Sequence, residues 1–503
     1  MTSSHPQEIE LKLQLPPGQA KAFRTMLARR RVSPVEQELV TLYLDTPDFD
    51  LGTAGVALRL RRVGRRWLQT LKTEGARQGG LSRRAEFEMP VPRGEVDWTL
   101  FPPEAQAYVP ARLRARLAPA FETRFARTAW QLGGAGGATI EVALDVGEVR
   151  AGEASMPICE IELELKSGEP DALYDLALDW ARRFGCLPFD RSKAERGMRL
   201  ACCAADAPVK SVQAGLDRAM RVEDGFAAIC QACLTQFQAN LPGVLDSDDI
   251  EYVHQARVAL RRLRAALRLY RRVCVLPPEW SAGLRALAAA LGPARDLDVL
   301  CGETLPAIAP HYGDAADWQA GLTVLEARRA AARAAMRADI LAAHPGAWLL
   351  GCHRWLLLRG WRAAPEAQRF VQLSPLADWA ARALQRGHRA VLRDAVRFDT
   401  LSPPERHGLR IRIKRQRYAA EFFESLYPGR AHARYRERLC AVQDGLGRVN
   451  DARVAVQQLQ SMQQELGRMG AFACGWLAAC EADADRGGNA KHLKNFVKSG
   501  VNW

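Results

Sequence analysis

Two stretches decide the reading of the first half of the chain: Glu8-Ile9-Glu10-Leu11-Lys12 and Glu160-Ile161-Glu162-Leu163-Glu164-Leu165-Lys166. In each, charged and apolar residues alternate strictly. On a β-strand that period sends Glu8, Glu10 and Lys12 to one face and Ile9, Leu11 and Leu13 to the other. The inversion recurs in Arg59-Leu60-Arg61 and Arg84-Ala85-Glu86-Phe87-Glu88, while Lys72, Arg127 and Asp145 sit on further segments of the same kind. One such strand reads as a sheet with a face in water. Several together set like charges two residues apart on one face, where they repel. Carboxylates so spaced on neighbouring strands form the oxygen cluster that Mg²⁺ or Mn²⁺ seeks. Rows of Arg and Lys facing the same space suit the non-bridging oxygens of phosphate. The pattern predicts a polar interior of both signs that holds a metal–phosphate complex.

Outward from these stretches, period-two segments fall at residues 8–14, 39–44, 55–62, 66–73, 83–92, 124–132, 138–146 and 158–166, parted by Gly and Pro turns. Two helices interrupt them, near residues 103–117 and 170–184. About eight antiparallel strands are enough to close a barrel. Past Pro208 the texture changes to long Ala/Leu/Arg segments of 3.6-residue spacing, punctuated by Pro or Gly. The chain therefore divides around residues 201–210, and 503 residues are too many for one ordinary core.

The two halves differ in charge. Residues 1–205 hold 29 Lys and Arg against 27 Asp and Glu, a net of +2; the remainder holds 42 against 30, a net of +12. The second half calls for a polyanion. It also repeats itself. HQARVALRRLRAALRLY from His254 and HGLRIRIKRQRYAAEFF from His407 both place Arg three residues after His and a basic cluster behind it. Leu291-Gly292 followed by Asp298-Val299 answers Leu446-Gly447 followed by Asn450-Asp451 and Val454, at similar offsets. That points to a duplicated helical bundle. His254, Arg257, Arg261, Arg264 and Arg268 lie on one helical face, and His407, Arg410, Lys414 and Arg417 repeat the geometry. Like charges stacked at i,i+4 each cost about 0.2–0.5 kcal/mol, so an anion should compensate them.

Twelve cysteines show no framework spacing, and the lone Cys230/Cys233 pair has no second pair to complete a zinc site. Reduced, mostly buried thiols follow. The longest apolar runs, such as those at residues 348–350 and 355–358, are far too short to span a membrane, and the first ten residues lack a signal-peptide pattern. Both point to a cytoplasmic protein. No GxxxxGK[ST] loop is present, which disfavours P-loop chemistry. Aromatic residues make up 7% of the chain and none interleaves the basic face before Tyr270, which disfavours nucleic acid as the partner.

The EIELK run at Glu8 resembles the ExExK signature of the CYTH, or triphosphate tunnel metalloenzyme, superfamily. Agreement continues through Tyr43-Leu44-Asp45-Thr46-Pro47, Leu58-Arg59-Leu60-Arg61, Leu71-Lys72-Thr73, residues 84–88, 121–130 and 160–166, and Ser192-Lys193-Ala194-Glu195-Arg196-Gly197. The resemblance spans residues 5–200 and implies an eight-stranded antiparallel tunnel with flanking helices, acting on triphosphates with Mg²⁺ or Mn²⁺. By it, Glu8, Glu10, Glu162 and Glu164 are the metal ligands, with Glu160 and Asp145 beside them. Lys12, Arg59, Arg61, Lys72, Arg84, Arg127, Lys193 and Arg196 cradle the phosphates. Glu86 and Glu88 hold a second metal or orient those cations, and Glu162 or Lys72 prepares the attacking water.

The second half resembles the CHAD domain, a helical fold with conserved histidines, through Val253-His254-Gln255-Ala256-Arg257-Val258, the basic run Arg261, Arg262, Leu263, Arg264, and the weaker copy from His407. It implies an all-α domain of two four-helix bundles that binds long-chain inorganic polyphosphate through His254, Arg257, Arg261, Arg262, Arg264, Arg268, His407, Arg410, Lys414 and Arg417. The expected architecture is thus an α+β multidomain chain. A barrel domain occupies residues 1–203 and a helical domain residues 210–495, repeated over about 215–370 and 371–495. The order of the two domains favours inorganic triphosphate as substrate, and association with polyphosphate granules in the cytoplasm is a separate expectation. A nucleotide-active or thiamine triphosphate-active tunnel enzyme (the adenylate cyclase or thiamine triphosphatase type) and a non-catalytic polyanion-binding protein are the rival expectations.

Overall fold

A computed structural model describes residues 7–363, 365–486, 493, 496 and 497, with the side chains of 7, 76, 78, 403, 448–450 and 481–486 outside the description. The side chain of Asn450 and the expected domain end at 495 therefore lie outside the described residues. The chain forms two compact units. One comprises the chain up to Ala207 together with His344–Leu358; the other comprises Pro208–Ala343 and the chain from Arg359.

The first unit is built on ten strands: β1 Gln7–Gln14, β2 Val35–Asp45, β3 Val56–Val63, β4 Arg66–Thr73, β5 Ala76–Gln78, β6 Leu81–Val91, β7 Ala118–Gly133, β8 Thr139–Ala151, β9 Ala154–Ser167 and β10 Leu187–Pro188. They follow the order β10-β1-β9-β8-β7-β2-β3-β4-β6-β5, and a β1–β6 pairing closes the eight long strands into an antiparallel barrel. The eight strands read from the sequence are these eight. β4 keeps the bounds read from the sequence, whereas β2, β7 and the β8–β9 hairpin run well beyond theirs.

The barrel is inverted relative to an ordinary small barrel. Its acids and bases face inward, and its apolar positions face outward beneath helices. Leu11, Leu13, Ile161 and Leu163 are fully buried in one cluster with Phe23 of the helix Ala20–Ala28 and Tyr174, Ala177 and Trp180 of the helix Ala172–Phe184. A second cluster joins Leu58, Leu71 and Phe87 to Phe101, Ala105 and Val109 around the helix Pro103–Ala107. Buried side chains on the outside of the wall provide the hydrophobic driving force, which leaves the lumen free to be polar.

The helix count of this unit corrects the sequence reading, which expected two. Ala20–Ala28 and Lys193–Ala201 are also helical, the latter opened by a capping box in which Ser192 accepts from the Glu195 amide. A further helix, Pro345–Leu357, comes from sequence that the reading placed inside the helical domain, yet it belongs to the barrel unit. Ala347 and Leu350 enter the same core cluster as β1 and β9, and Arg354 Nη1 donates to Asp175 at 2.7 Å.

The second unit is all-helical. Val222–Asp246, Ile250–Leu269, Pro278–Val299 and Ala315–Ala342 pack in sequence, as do Leu376–Ala395, Pro403–Phe422, Arg430–Ser461 and Gln463–Arg486. The second helices of the two series, Ile250–Leu269 and Pro403–Phe422, also pack against each other, and so do the fourth. These second helices carry the two copies of the basic repeat. The twelve cysteines are free thiols. Among the described residues no helix is long and apolar enough to cross a membrane.

Candidate active site and polyanion surface

Strand register brings the distant motifs of the first half together. Lys12 lies opposite Glu162 and Glu10 opposite Glu164 across β1–β9; Asp145 faces both Arg127 on β7 and Glu160 on β9; Lys72 faces Glu86 across β4–β6. The strand interior is a cavity of about 400 Å³, lined by Glu8, Glu10, Lys12, Arg59, Arg61, Lys72, Arg84, Glu86, Glu88, Arg127, Glu162, Glu164 and Lys193. Its full lining holds ten acids and nine Lys or Arg, so the lumen is close to neutral as a whole.

The charges form two linked networks. In the first, Lys72 Nζ donates to Glu8 at 2.9 and 3.0 Å and approaches Glu86 Oε2 at 2.9 Å. Arg84 spans Glu8 at 2.8 Å and Glu10 at 2.7 Å, and Arg59 reaches Glu86 at 3.3 Å and Glu88 at 3.7 Å. In the second, Arg127 holds Asp145 with two hydrogen bonds, of 2.8 and 2.7 Å, and Glu162 with a third. Lys193 Nζ donates to Asp145 at 2.6 Å, Glu160 at 2.5 Å and Glu162 at 2.9 Å. Lys12 joins the networks, 3.2 Å from Glu162 and 3.8 Å from Glu10.

Not every expected site residue faces the cavity. Arg196 pairs with Glu160, which is 1% exposed, and lines a smaller pocket with Arg191 and Arg199. Its guanidinium is withheld from phosphate by that pair, and Lys193, three residues earlier on the same helix face, shares Glu160 with it. The sequence reading also missed lining residues. Glu141 and Lys166 extend the rim beside Glu164, and Lys166 Nζ lies 2.7 Å from Glu164. Tyr43 stacks on Phe121 with ring centroids 4.7 Å apart, and Arg59 and Arg61 flank it. Period-two alternation could have found Glu141, which shares parity with Asp145.

The electrostatics separate these groups. Burial opposes ionisation of Glu162, yet Lys193, Lys12 and Arg127 overcome it and hold its carboxyl well below the ordinary value. Burial pushes Glu164 up, and the neighbouring Glu8 and Glu141 carboxylates add to that against Lys166. Burial lowers Lys72, reinforced by Arg59 and Arg84 against Glu8 and Glu86. Arg61 stands apart: its Nε donates to Thr41 Oγ1 at 3.2 Å, and among the described residues no carboxylate lies within 4.0 Å of it. Burial, then Arg59 and Arg127, push it down to about 10.

A hard divalent cation fits the donor set. Oxygen atoms of Asp145, Glu160 and Glu162 lie within 4.8 Å of one another, and the available ligands are carboxylates only, as Mg²⁺ and Mn²⁺ prefer. Lys193, Arg127 and Arg196 together already neutralise that trio. The raised Glu164 beside Glu8 and Glu141 marks the rim as the acid-rich side.

In the helical unit the two basic repeats come together. Burial lowers Lys414 to about 8, and Arg261, Arg410, Arg417 and Arg257 add to the effect, which places cations of both repeats around one ammonium. Burial also lowers His254, and the Arg295 charge adds to that. Arg257 has Asp296 at 3.8 Å, and Arg417 donates to Gln443 at 2.8 Å and Glu421 at 3.1 Å. Arg264, Arg268 and His407 are exposed. Arg262 departs from the expectation: it is 3% exposed, with Nε 3.0 Å from Glu421 and its guanidinium over Phe422. Eight residues after His254, it points between helices instead of along the basic face.

Two family models match the stretches that build this barrel and this helical array. Residues 6–198 match the CYTH domain and residues 228–460 the CHAD domain. The chain belongs to the CHAD-domain proteins, with a CYTH domain ahead of it. A crystal structure of the CHAD domain from the plant Ricinus communis is 30% identical with a TM-score of 0.52, covering 59% of this chain and 98% of that one. An inorganic triphosphatase of Haemophilus influenzae is 36% identical over 209 residues, 39% of this chain and 55% of that relative, so the chain spans about half of its length. A putative adenylyl cyclase from Hippeastrum aligns over 38% of this chain and 95% of its own at 18% identity, with a TM-score of 0.30.

Proposed function

We propose that this chain hydrolyses inorganic triphosphate in the barrel with Mg²⁺ or Mn²⁺ and binds long-chain inorganic polyphosphate on the paired basic helices. The observation that carries the first part is Arg61. A half-buried guanidinium with only a hydroxyl acceptor among the described residues, pressed by Arg59 and Arg127, is an unfavourable charge until an anion arrives. The near balance of acids and bases in the lumen favours an anion that brings its own metal over a bare polyanion. The name of the Haemophilus influenzae relative agrees with that substrate.

In this reading Glu8, Glu10, Glu162 and Glu164 hold the cation, which supplies neutralisation of the phosphate oxygens. Arg59, Arg61, Arg84, Arg127 and Lys12 position the phosphates and stabilise charge as the terminal phosphoanhydride bond breaks. Lys72 is the better of the two candidates for accepting a proton from the attacking water. Its pKa is lowered, whereas a carboxylate held as low as that of Glu162 is a poor base.

For the helical half, the supporting feature is Lys414 among Arg257, Arg261, Arg410 and Arg417. A flexible chain of phosphates meets cations at many spacings and needs no stacking partner.

The test is a turnover panel on the full chain with inorganic triphosphate, ATP and thiamine triphosphate, with each metal and with chelator. Inorganic triphosphate should be preferred, chelator should stop turnover, and Glu8→Gln should lose hydrolysis while retaining polyphosphate binding. Preference for ATP or thiamine triphosphate would replace the substrate, and metal-independent hydrolysis would remove the cation.

A further inference from the structure

The helix Leu376–Ala395 carries a second arginine face that the polyanion reading leaves unused. Arg382, Arg386, Arg389 and Arg393 stand at i, i+4, i+7 and i+11, one side of the helix, and all four are exposed. The opposite side, with Ala380, Leu384, His388 and Val391, is buried, so packing fixes the face outward. Only Arg393 has a carboxylate nearby, Asp394 at 4.0 Å; among the described residues Arg382, Arg386 and Arg389 have none within that distance. Like charges one turn apart, without counter-charges, cost stability unless an anion spans them.

This face adjoins the paired basic helices. Leu376–Ala395 packs on Pro403–Phe422, which packs on Ile250–Leu269. Burial, Arg382 and Arg272 act on Arg386, while burial, Arg268 and Arg271 act on Arg415, so no gap separates the fields. Arg268, Arg272 and Arg415 are exposed. The stripe from Arg382 to Arg393 is about 16 Å long and the face from His254 to Arg268 about 21 Å, at 1.5 Å per residue. A triphosphate is far shorter than either.

We propose that the polyanion surface runs from Arg268 and Arg415 past Arg272 onto Arg382, Arg386 and Arg389, so that a linear polyphosphate is selected by its length. This rests on the polyphosphate reading above and adds the part of the surface that only a long chain reaches. The face carries Asp378 and Gln385 beside its arginines and no aromatic side chain to stack on a base, which favours polyphosphate over nucleic acid.

The experiment titrates the full chain with a short oligophosphate, long-chain polyphosphate and duplex DNA across a salt series. It compares the native sequence with Arg386→Ala/Arg389→Ala and Arg257→Ala/Arg261→Ala. The first variant should weaken long-chain binding on the order of tenfold, flatten its salt dependence by about two in slope, and change short-chain binding less than twofold. The second should weaken both lengths. Unchanged long-chain binding in the first variant alone overturns the extension and leaves the docking reading standing. Unchanged binding in both overturns the two together. A loss confined to duplex DNA in the first variant also overturns the extension, making the stripe a nucleic-acid surface.

Discussion

Lys193 Nζ lies 2.6 Å from Asp145 Oδ2, tying the first turn of the helix Lys193–Ala201 to β8. Glu160 and Glu162 share the same ammonium, which makes Lys193 the internal counter-ion of three converging carboxylates. Lys193→Met leaves that buried charge short of a cation, and removing one partner of such a group costs about 3–5 kcal/mol. The variant should melt earlier, and Mn²⁺ should raise its melting temperature more than that of the native sequence. Equal metal shifts in the two proteins would contradict the counter-ion role.

Arg61→Met should act in the opposite sense on stability. It removes a half-buried cation whose one hydrogen bond among the described residues is to Thr41, so urea unfolding should show no loss, or a gain of about 1 kcal/mol. Triphosphate hydrolysis should fall at least tenfold in kcat/KM. A variant both less stable and fully active would mean that Arg61 is a structural group.

The helical half should show a pH signature from Lys414. Its folded pKa is pushed down to about 8 from an ordinary 10.5. Below about pH 8 the residue is protonated in folded and unfolded chains alike, and the penalty for holding the charge is fully present. Between about 8 and 10.5 the unfolded chain binds more protons, so stability rises with pH. A bound polyanion favours the ammonium, so polyphosphate affinity should fall as pH rises through 8, with proton uptake on binding at pH 8–9. Calorimetry in two buffers of different ionisation enthalpy measures that uptake, and Lys414→Met should abolish it.

Gly346 is a packing site. A methyl group there would lie 1.9 Å from the Cys186 carbonyl oxygen, a backbone atom that cannot swing aside. Gly346→Ala should therefore lift the start of the helix Pro345–Leu357 away from the barrel and cost about 1–3 kcal/mol. A thermal melt unchanged from the native sequence would show that the helix is not held there.

Alternation made the barrel readable. Two-residue periodicity at Glu8, Arg59, Lys72, Arg84 and Glu160 located the strands and named the residues that meet in the lumen, because in a closed sheet parity alone decides inside from outside. Register was not readable, so the sequence could not tell that Glu160 lies under Lys193 and Arg196 while Glu162 faces the cavity. The helix Ala20–Ala28 went unseen because its signal is only Phe23, Met26 and Leu27 within nine residues. Helical phase explains Arg262: adjacency to Arg261 in sequence is a rotation of about 100° on a helix, which carries it from the basic face into the core.

The contribution of His344–Leu358 to the barrel unit has a consequence for biosynthesis. The β-strands emerge from the ribosome well before this segment, and the helical stretch Pro208–Ala343 must be translated in between. The barrel therefore waits, with Leu350's place in its hydrophobic layer unfilled, until nearly half of the second unit has been made. A gene split at the apparent domain boundary would separate the barrel from part of itself, which ties the inheritance of the two modules together.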